Sequence, residues 1–170
     1  QGTPMYDYGD YCPISKAAQI LGDWWTLLIV RELLSGTTRF NDLRRGVPRM
    51  SPTLLSKRLK ELEQAGVVSA TPAGKGVVEY RLTEAGEDLR PLVMGLGVWG
   101  QRWVSSELSL QNLDPSLLMW DMRRGLNPKP LPKRACCIHF HYTDVKANQQ
   151  NWWLLVSAGG EVDLCYSDPG

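Results

Sequence analysis

A change of hydrophobic period at Gly66 limits the possible folds of this chain more than any other pattern in it. In residues 50–66, MSPTLLSKRLKELEQAG, leucines recur at Leu55, Leu59 and Leu62, the i, i+4, i+7 spacing of an amphipathic helix. The next two segments, VVSATP and VVEYRL, have the short, β-branched character of strands, and AGKG joins them as a glycine-rich turn. This order predicts a helix followed directly by a two-stranded antiparallel ribbon.

Helix-terminating residues set the ends of this helix, and polar residues cover its outer side. Ser51 is a favourable N-cap, Pro52 suits the first helical position, and Gly66 ends the helix. The residues predicted to face away from the leucines are Thr53, Ser56, Lys57 and Lys60. Such an outer face can enter the major groove of DNA, because Ser, Thr and Lys bond base edges and phosphates.

Three short helices are predicted before this one. Residues 14–21 form an amphipathic helix that Gly22 ends, and Asp23 caps the next helix, at 24–34. A third helix is predicted at 40–46. Two neighbouring helices, the second with a polar outer face, form a helix-turn-helix. The third and fourth helices therefore predict this motif, and the ribbon that follows predicts a wing.

After the ribbon, a long helical segment is predicted from Thr83 to about Ser105, with a bend at Pro91. Its apolar residues recur at intervals of three and four: Leu89, Leu92, Leu96, Trp99 and Trp103. A stripe of this kind is too apolar to stay in water on a small domain, so we predict that it forms the interface of a homodimer. The alternative is that the helix covers its own domain.

Positive charge is concentrated between Arg39 and Lys60, although the net charge of the whole chain is only +1. This window holds seven basic residues and one acid, a local charge of +6. A focused basic patch predicts a nucleic-acid partner. The predicted contacts to double-stranded DNA are Arg39, Arg49, Ser51, Thr53, Ser56, Lys57, Lys60 and Lys75. Of these, Arg39, Arg49 and Lys75 are predicted to contact phosphates, whereas Arg58 could pair with a neighbouring acid. The alternative is a solvated basic face on an ordinary helical protein.

The composition is that of a soluble globular protein, with 43% hydrophobic and 22% charged residues. No apolar run is long enough to cross a bilayer, and the first residues do not resemble a signal peptide. We therefore expect a cytoplasmic protein with no membrane partner. The four cysteines are then expected to be reduced thiols.

Four sequence blocks carry a family resemblance: CPISKAAQILGDWWTLLIVRELLSGTTRFNDLRR, MSPTLLSKRLKELEQAGVV, VEYRLTEAG and WGQRW. In their order and spacing, over residues 11–104, they resemble the HxlR family of bacterial winged-helix regulators. The resemblance implies a dimeric transcription factor whose first and last helices form the dimer interface. One departure is Trp24, at the start of a core helix, where the family usually has a small polar or basic residue.

The resemblance also singles out Cys12. Some HxlR relatives sense electrophiles or oxidants through a cysteine before the first helix, and Cys12, followed by Pro13, matches that position. A helix N-terminus favours the thiolate form of an exposed cysteine, and Lys16 lies one turn further on. Cys12 is therefore a redox-sensor candidate; the alternative is a small buried packing residue.

The end of the chain predicts a separate small α+β module. Within residues 112–170, a helix is predicted at 116–126 and strands at 135–143, 151–157 and 162–167, the last two as a hairpin. The blocks DPSLLMWDMR and WWLLVSAGGEVDLCYSDPG resemble the opening of a sterol-carrier-protein type lipid-binding domain. The sequence stops soon after a strand, so we expect either a module that is cut short or a partner that covers the open edge.

Two further assignments concern this module. Trp120, Trp152 and Leu154 are candidates for an apolar effector pocket, with core packing as the alternative. Cys137 shares a strand face with the only two histidines, which could hold zinc, but the usual paired-cysteine spacing is absent and we predict no metal or cofactor. We also predict no enzyme, because neither a catalytic triad nor a phosphate-binding glycine loop can be assembled.

These features together predict an α+β protein with three parts. Residues 1–105 form a winged helix-turn-helix DNA-binding and dimerisation domain, 106–115 a linker, and 116–170 a partial sterol-carrier-like domain. The predicted function is a repressor that binds an inverted-repeat operator as a homodimer and responds to an oxidant or electrophile at Cys12 or to an apolar effector. The alternative is a lipid-binding or protein-interaction module whose winged helix docks protein.

Overall fold

The computed structural model describes residues 12–74, 76–104, 114–127 and 129–170. The chain divides after Val104 into two compact units. The predicted linker at 106–115 lies almost entirely outside the described residues. None of the described helices combines the length and apolar character that a membrane span requires.

The first unit is a winged helix built from six helices and a β-ribbon within its described residues. Its elements are α1 Pro13–Leu21, α2 Trp24–Leu34, α3 Phe40–Gly46, α4 Pro52–Gln64, β1 Val68–Pro72, β2 Val78–Leu82, α5 Glu84–Glu87 and α6 Arg90–Trp103. The predicted ribbon is confirmed: β1 and β2 are antiparallel, with Val68 opposite Leu82. A β-bridge between Arg39 and Glu79 attaches the ribbon to the residue that precedes α3.

Local capping explains where several of these helices begin. The Asp23 carboxylate accepts the Trp25 N–H at 3.1 Å and starts α2. The Ser51 hydroxyl accepts the Leu54 N–H at 3.2 Å and starts α4, with Pro52 in the first turn as predicted. Because these signals are local in sequence, the predicted bounds of the first four helices agree closely with the structure.

The core of this unit lies between α2, α3, α4 and the ribbon. The predicted leucine stripe of α4 is confirmed, since Leu55, Leu59 and Leu62 are at most 2% exposed. They pack with buried residues from the other elements: Ile29, Val30, Leu33, Leu43, Val47, Met50, Val67 and Val68. Burial of the stripe leaves the opposite side of α4 facing outward.

The prediction of one bent helix after the ribbon is wrong. Helix α5 ends at Glu87 and α6 begins at Arg90, with Pro91 in its first turn. Proline is accommodated in a first turn because its missing N–H would have no intrahelical partner there. Pro91 therefore starts a new helix rather than bending an existing one.

The second unit is one helix on a three-stranded antiparallel sheet within its described residues. Its elements are α7 Pro115–Gly125, β3 Cys136–His141, a short 3-10 helix Ala147–Gln149, β4 Asn151–Val156 and β5 Val162–Cys165. The strand order is β3-β4-β5, so the predicted hairpin of the last two strands is confirmed. Burial raises the pKa of Tyr142 above its ordinary value, and its hydroxyl donates to Met119 Sδ at 3.2 Å.

Candidate nucleic-acid interface

The surface built by α3, α4 and the turn between them carries most of the predicted DNA contacts. Val47 and Met50, in the turn, are buried, and the Met50 N–H donates to the Val47 carbonyl at 2.9 Å. The turn therefore closes over the core, and α4 leaves it with Ser51 exposed at the N-terminus. This arrangement presents the first turns of α4 to solvent, as a recognition helix requires.

One side of α4 is exposed along its length and polar. The predicted contact residues Thr53, Ser56, Lys57 and Lys60 are all exposed. Their spacing places them on the side of the helix opposite the buried leucines. The structure thus brings these predicted side chains together on one surface.

Basic residues flank this surface on the elements next to α4. Arg39 is the N-cap residue of α3, Arg49 lies in the turn, and both are exposed. Arg44 and Arg45 in the last turn of α3 are also exposed, and Arg45 Nη1 lies 3.5 Å from Asp42 Oδ1. Lys75, the predicted contact at the wing tip, lies outside the described residues.

Two acids modify the charge of α4. Glu61 approaches Lys57 with one carboxylate oxygen, at 3.9 Å from Nζ, and Arg58 with the other, at 2.7 Å from Nη1. Arg58 Nη2 lies 2.5 Å from Asp23 Oδ2. The predicted alternative for Arg58, pairing with a neighbouring acid, is confirmed. The Lys57 side chain remains 65% exposed and loosely paired, so it can reach a phosphate.

A buried acid behind α3 was missed by the sequence interpretation. The Glu32 side chain is fully buried and accepts from Arg31 Nη2 at 2.7 Å, while the same Arg31 Nη2 donates to the Gly46 carbonyl at 3.1 Å. A Cβ at Gly46 would lie 2.0 Å from Glu32 Oε2. The helical spacing of apolar residues in α2 carries no signal for this contact, because Gly46 is distant in sequence.

The helices at the two ends of the first unit expose apolar side chains. Neither α1 nor α6 contributes a buried residue. Large exposed side chains on these helices and at the start of α2 are Ile14, Ile20, Trp24, Leu92, Met94, Leu96, Val98, Trp99 and Trp103. Four of the five predicted interface residues are in this set, whereas Leu89 packs against the core of its own unit. Trp24, at 79% exposure, lies on the surface rather than in the core.

Cys12 is exposed at the N-terminus of α1, as the sensor interpretation requires. Its carbonyl accepts the Lys16 N–H at 3.2 Å, so the helix begins directly after it. This exposure does not fit the alternative of a buried packing residue.

The candidate effector and metal residues of the second unit have other roles. Trp120, Trp152 and Leu154 are at most 3% exposed and form the core with Met119 and Leu164, so they fill space instead of lining a pocket. His139 Nε2 and His141 Nδ1 each lie 2.9 Å from Asn151 Oδ1. Over the described ranges, no three His, Cys, Asp or Glu side chains are grouped to hold a metal ion.

Comparisons with known proteins agree on the first unit. The model of the family described as HxlR-like helix-turn-helix matches residues 20–108, just over half of the chain. The uncharacterized HTH-type transcriptional regulator YvaP of Bacillus subtilis is 38% identical over 112 residues, which are 64% of this chain and 95% of that protein. A second such regulator, sll1512 of Synechocystis, is 31% identical over 61% of this chain and 78% of its own. The redox regulator HypR in its oxidized form is 31% identical with a TM-score of 0.52, over 55% of this chain and 99% of that chain.

Proposed function

The chain belongs to the HxlR-like helix-turn-helix family, and on this basis we propose that it is a homodimeric repressor that binds an inverted-repeat operator through α4. The observation that carries the proposal is the exposed polar side of α4, flanked by the exposed Arg39 and Arg49. In this assignment Thr53, Ser56 and the two lysines of α4 meet base edges and phosphates in the major groove. Arg39 and Arg49 hold phosphates on either side.

Homodimerisation is supported by the state of α6. This helix contains Gly95, Gly97 and Gly100, each of which costs a helix up to about 1 kcal/mol relative to alanine. It also buries no residue against its own unit. A helix with weak intrinsic propensity and a wet apolar face is stabilised when a second copy covers it. A twofold dimer would set two recognition helices about 34 Å apart, which requires inverted half-sites one helical turn apart.

The proposal is tested by selecting bound duplexes from a random pool and measuring affinity for the selected operator against salt. We expect an inverted repeat to emerge. Lys57→Ala and Lys75→Ala should each weaken binding to every duplex. Each should also reduce the log–log salt slope by about 0.9 for every phosphate that the protein no longer neutralises, or twice that in a dimer. Lys146→Ala, which removes an exposed lysine of the second unit, is the matched control. Unchanged slopes in both the α4 and the wing variant would contradict this DNA surface.

We further propose that the regulator responds to oxidants or electrophiles at Cys12. Support comes from the exposure of the thiol at the start of α1, a helix that has an unburied apolar face, and from the similarity to a protein named as a redox regulator. Modification there would alter the surface proposed to hold the dimer. The three core residues of the second unit do not support an apolar effector, and the sterol-carrier resemblance stays a prediction because the family match ends at residue 108.

Diamide treatment before operator binding tests the Cys12 proposal. The wild type should lose operator affinity, and Cys12→Ser should keep it because the serine hydroxyl is not oxidised by diamide. Cys137→Ser, which removes another exposed thiol, should behave as the wild type. Equal losses in the wild type and Cys12→Ser would remove Cys12 as the sensor.

A further inference from the structure

We propose that Asp23 is a positioning residue for DNA recognition, because its carboxylate ties the recognition helix α4 to the start of α2. This inference rests on the proposed function and assigns a role to a residue outside the DNA surface. Asp23 Oδ1 accepts the Trp25 N–H at 3.1 Å, which caps α2. Its other oxygen, Oδ2, accepts from Arg58 Nη2 at 2.5 Å, across 35 positions of sequence.

Arg58 is held from two directions. Its Nη2 is bound to Asp23, and its Nη1 donates to Glu61 Oε2 at 2.7 Å, one turn along the same helix. Bonds between a guanidinium and a carboxylate are short, charge-assisted and directional. The planar fork of Arg58 is therefore fixed relative to both α4 and the cap of α2, and rotation or sliding of α4 would break at least one of these bonds.

The same geometry removes Arg58 from the set of phosphate contacts. Its side chain is 25% exposed, compared with 65% for the neighbouring Lys57. Two carboxylates already compensate its charge and occupy both terminal nitrogens. Arg58 therefore sets the orientation of α4, while Lys57 and Lys60 supply attraction to the DNA backbone.

Asp23 is placed to relate α4 to the helices that expose apolar surface. It follows Gly22, the C-cap of α1, and precedes Trp24, the first residue of α2, which is 79% exposed. A Cβ at Gly22 would lie 2.4 Å from the Ala18 carbonyl oxygen, so the chain passes closely from α1 into the Asp23 cap. The ion pair thus joins the α1–α2 corner to the helix that reads DNA.

Asp23→Asn separates the two roles of this side chain. Asparagine caps a helix as well as aspartate does, so α2 keeps its N-cap, but the charged bond to Arg58 is lost. Asp114→Asn is the matched control, because Asp114 also caps a helix, through the Ser116 N–H at 2.9 Å, and lies in the second unit. The partner variant is Arg58→Gln, and the double variant completes a thermodynamic cycle.

The experiment measures affinity for the selected operator and for a random duplex over a range of salt, together with thermal unfolding. We expect Asp23→Asn and Arg58→Gln each to lose about tenfold in operator affinity, with no larger loss in the double variant. Random-duplex affinity and the salt slope should not change, since no phosphate contact is removed. A purely structural role would instead lower the melting temperature without changing the ratio of operator to random affinity measured well below melting.

Three results would overturn the inference. Arg58→Gln could lower the salt slope, which would make Arg58 a phosphate contact. Asp23→Asn could keep full operator affinity, or the losses of the single variants could add. Each of these leaves the proposed function standing, because the wild type still selects an operator. Failure of the wild type to prefer any duplex would overturn the proposed function and the positioning role with it.

Discussion

Gly46 shows at the scale of one residue how a missing Cβ lets two helices approach each other. Its Cα lies against the buried Glu32 carboxylate, and its carbonyl accepts from Arg31 Nη2 at 3.1 Å. The backbone needs no positive φ here, so the requirement for glycine is one of space. Since Gly46 is the last residue of α3, this contact fixes where the turn to α4 begins.

Gly46→Ala should lower the free energy of unfolding by about 1–3 kcal/mol, the usual cost of overpacking a close contact. The added methyl group must displace Glu32, which is buried and held by Arg31. Denaturant unfolding measures the change. Gly125→Ala is the control, because a Cβ there meets no atom within 4 Å. Equal stability of both variants and the wild type would show that Glu32 moves without cost.

At the scale of elements, α6 is the helix whose environment is least complete within one chain. Trp99 is 59% exposed and Trp103 is 65% exposed, although tryptophan carries more apolar area than other side chains. Its neighbour α5 is a single capped turn, so the ribbon leads into α6 through a short corner at Leu89, which packs against the core. The surface that remains open on α6 is therefore presented in a fixed direction.

Trp99→Glu should convert the dimer to monomers, because the twofold axis would bring two carboxylates into an apolar interface. Size-exclusion chromatography with light scattering should show the mass halved and operator affinity reduced. Gln101→Glu adds the same charge to an exposed position of the same helix and should leave a dimer. A dimeric Trp99→Glu protein would place the interface elsewhere.

At the scale of the whole molecule, the two units divide between recognition and an addition to it. The predicted DNA contacts that the structure describes and the exposed apolar helices all lie in the first unit. In YvaP, 95% of the protein aligns with this chain over 112 residues, so that relative consists almost wholly of the matched region. DNA recognition is thus expected to need only the first unit.

A protein ending at residue 108 should therefore keep the operator preference and salt slope of the full chain. The full chain and the shortened one would be compared on the same selected duplex and by light scattering. Loss of dimerisation on shortening would show that the second unit holds the dimer together. Loss of affinity without loss of dimerisation would show that the second unit contributes to the DNA interface itself.

Patterns that are local along the chain were enough to predict most element bounds and the family. The caps at Asp23 and Ser51, the leucine stripe of α4 and the hairpin of the last two strands are patterns of this kind, and each predicted element is present. They are readable in advance because the groups that satisfy a helix end or a strand pair lie a few residues away. The exposed basic side of α4 followed from the same periodicity.

Which charges and apolar groups remain available to a partner was settled by the folded arrangement alone. Arg58 and Lys57 are adjacent in sequence, but Asp23 reaches only Arg58, so one is bound and the other can meet DNA. Leu89 and Trp99 belong to one predicted stripe, yet Leu89 packs inward and Trp99 faces water. These outcomes depend on which groups from distant parts of the chain come within contact distance, and a periodic pattern holds no information about that.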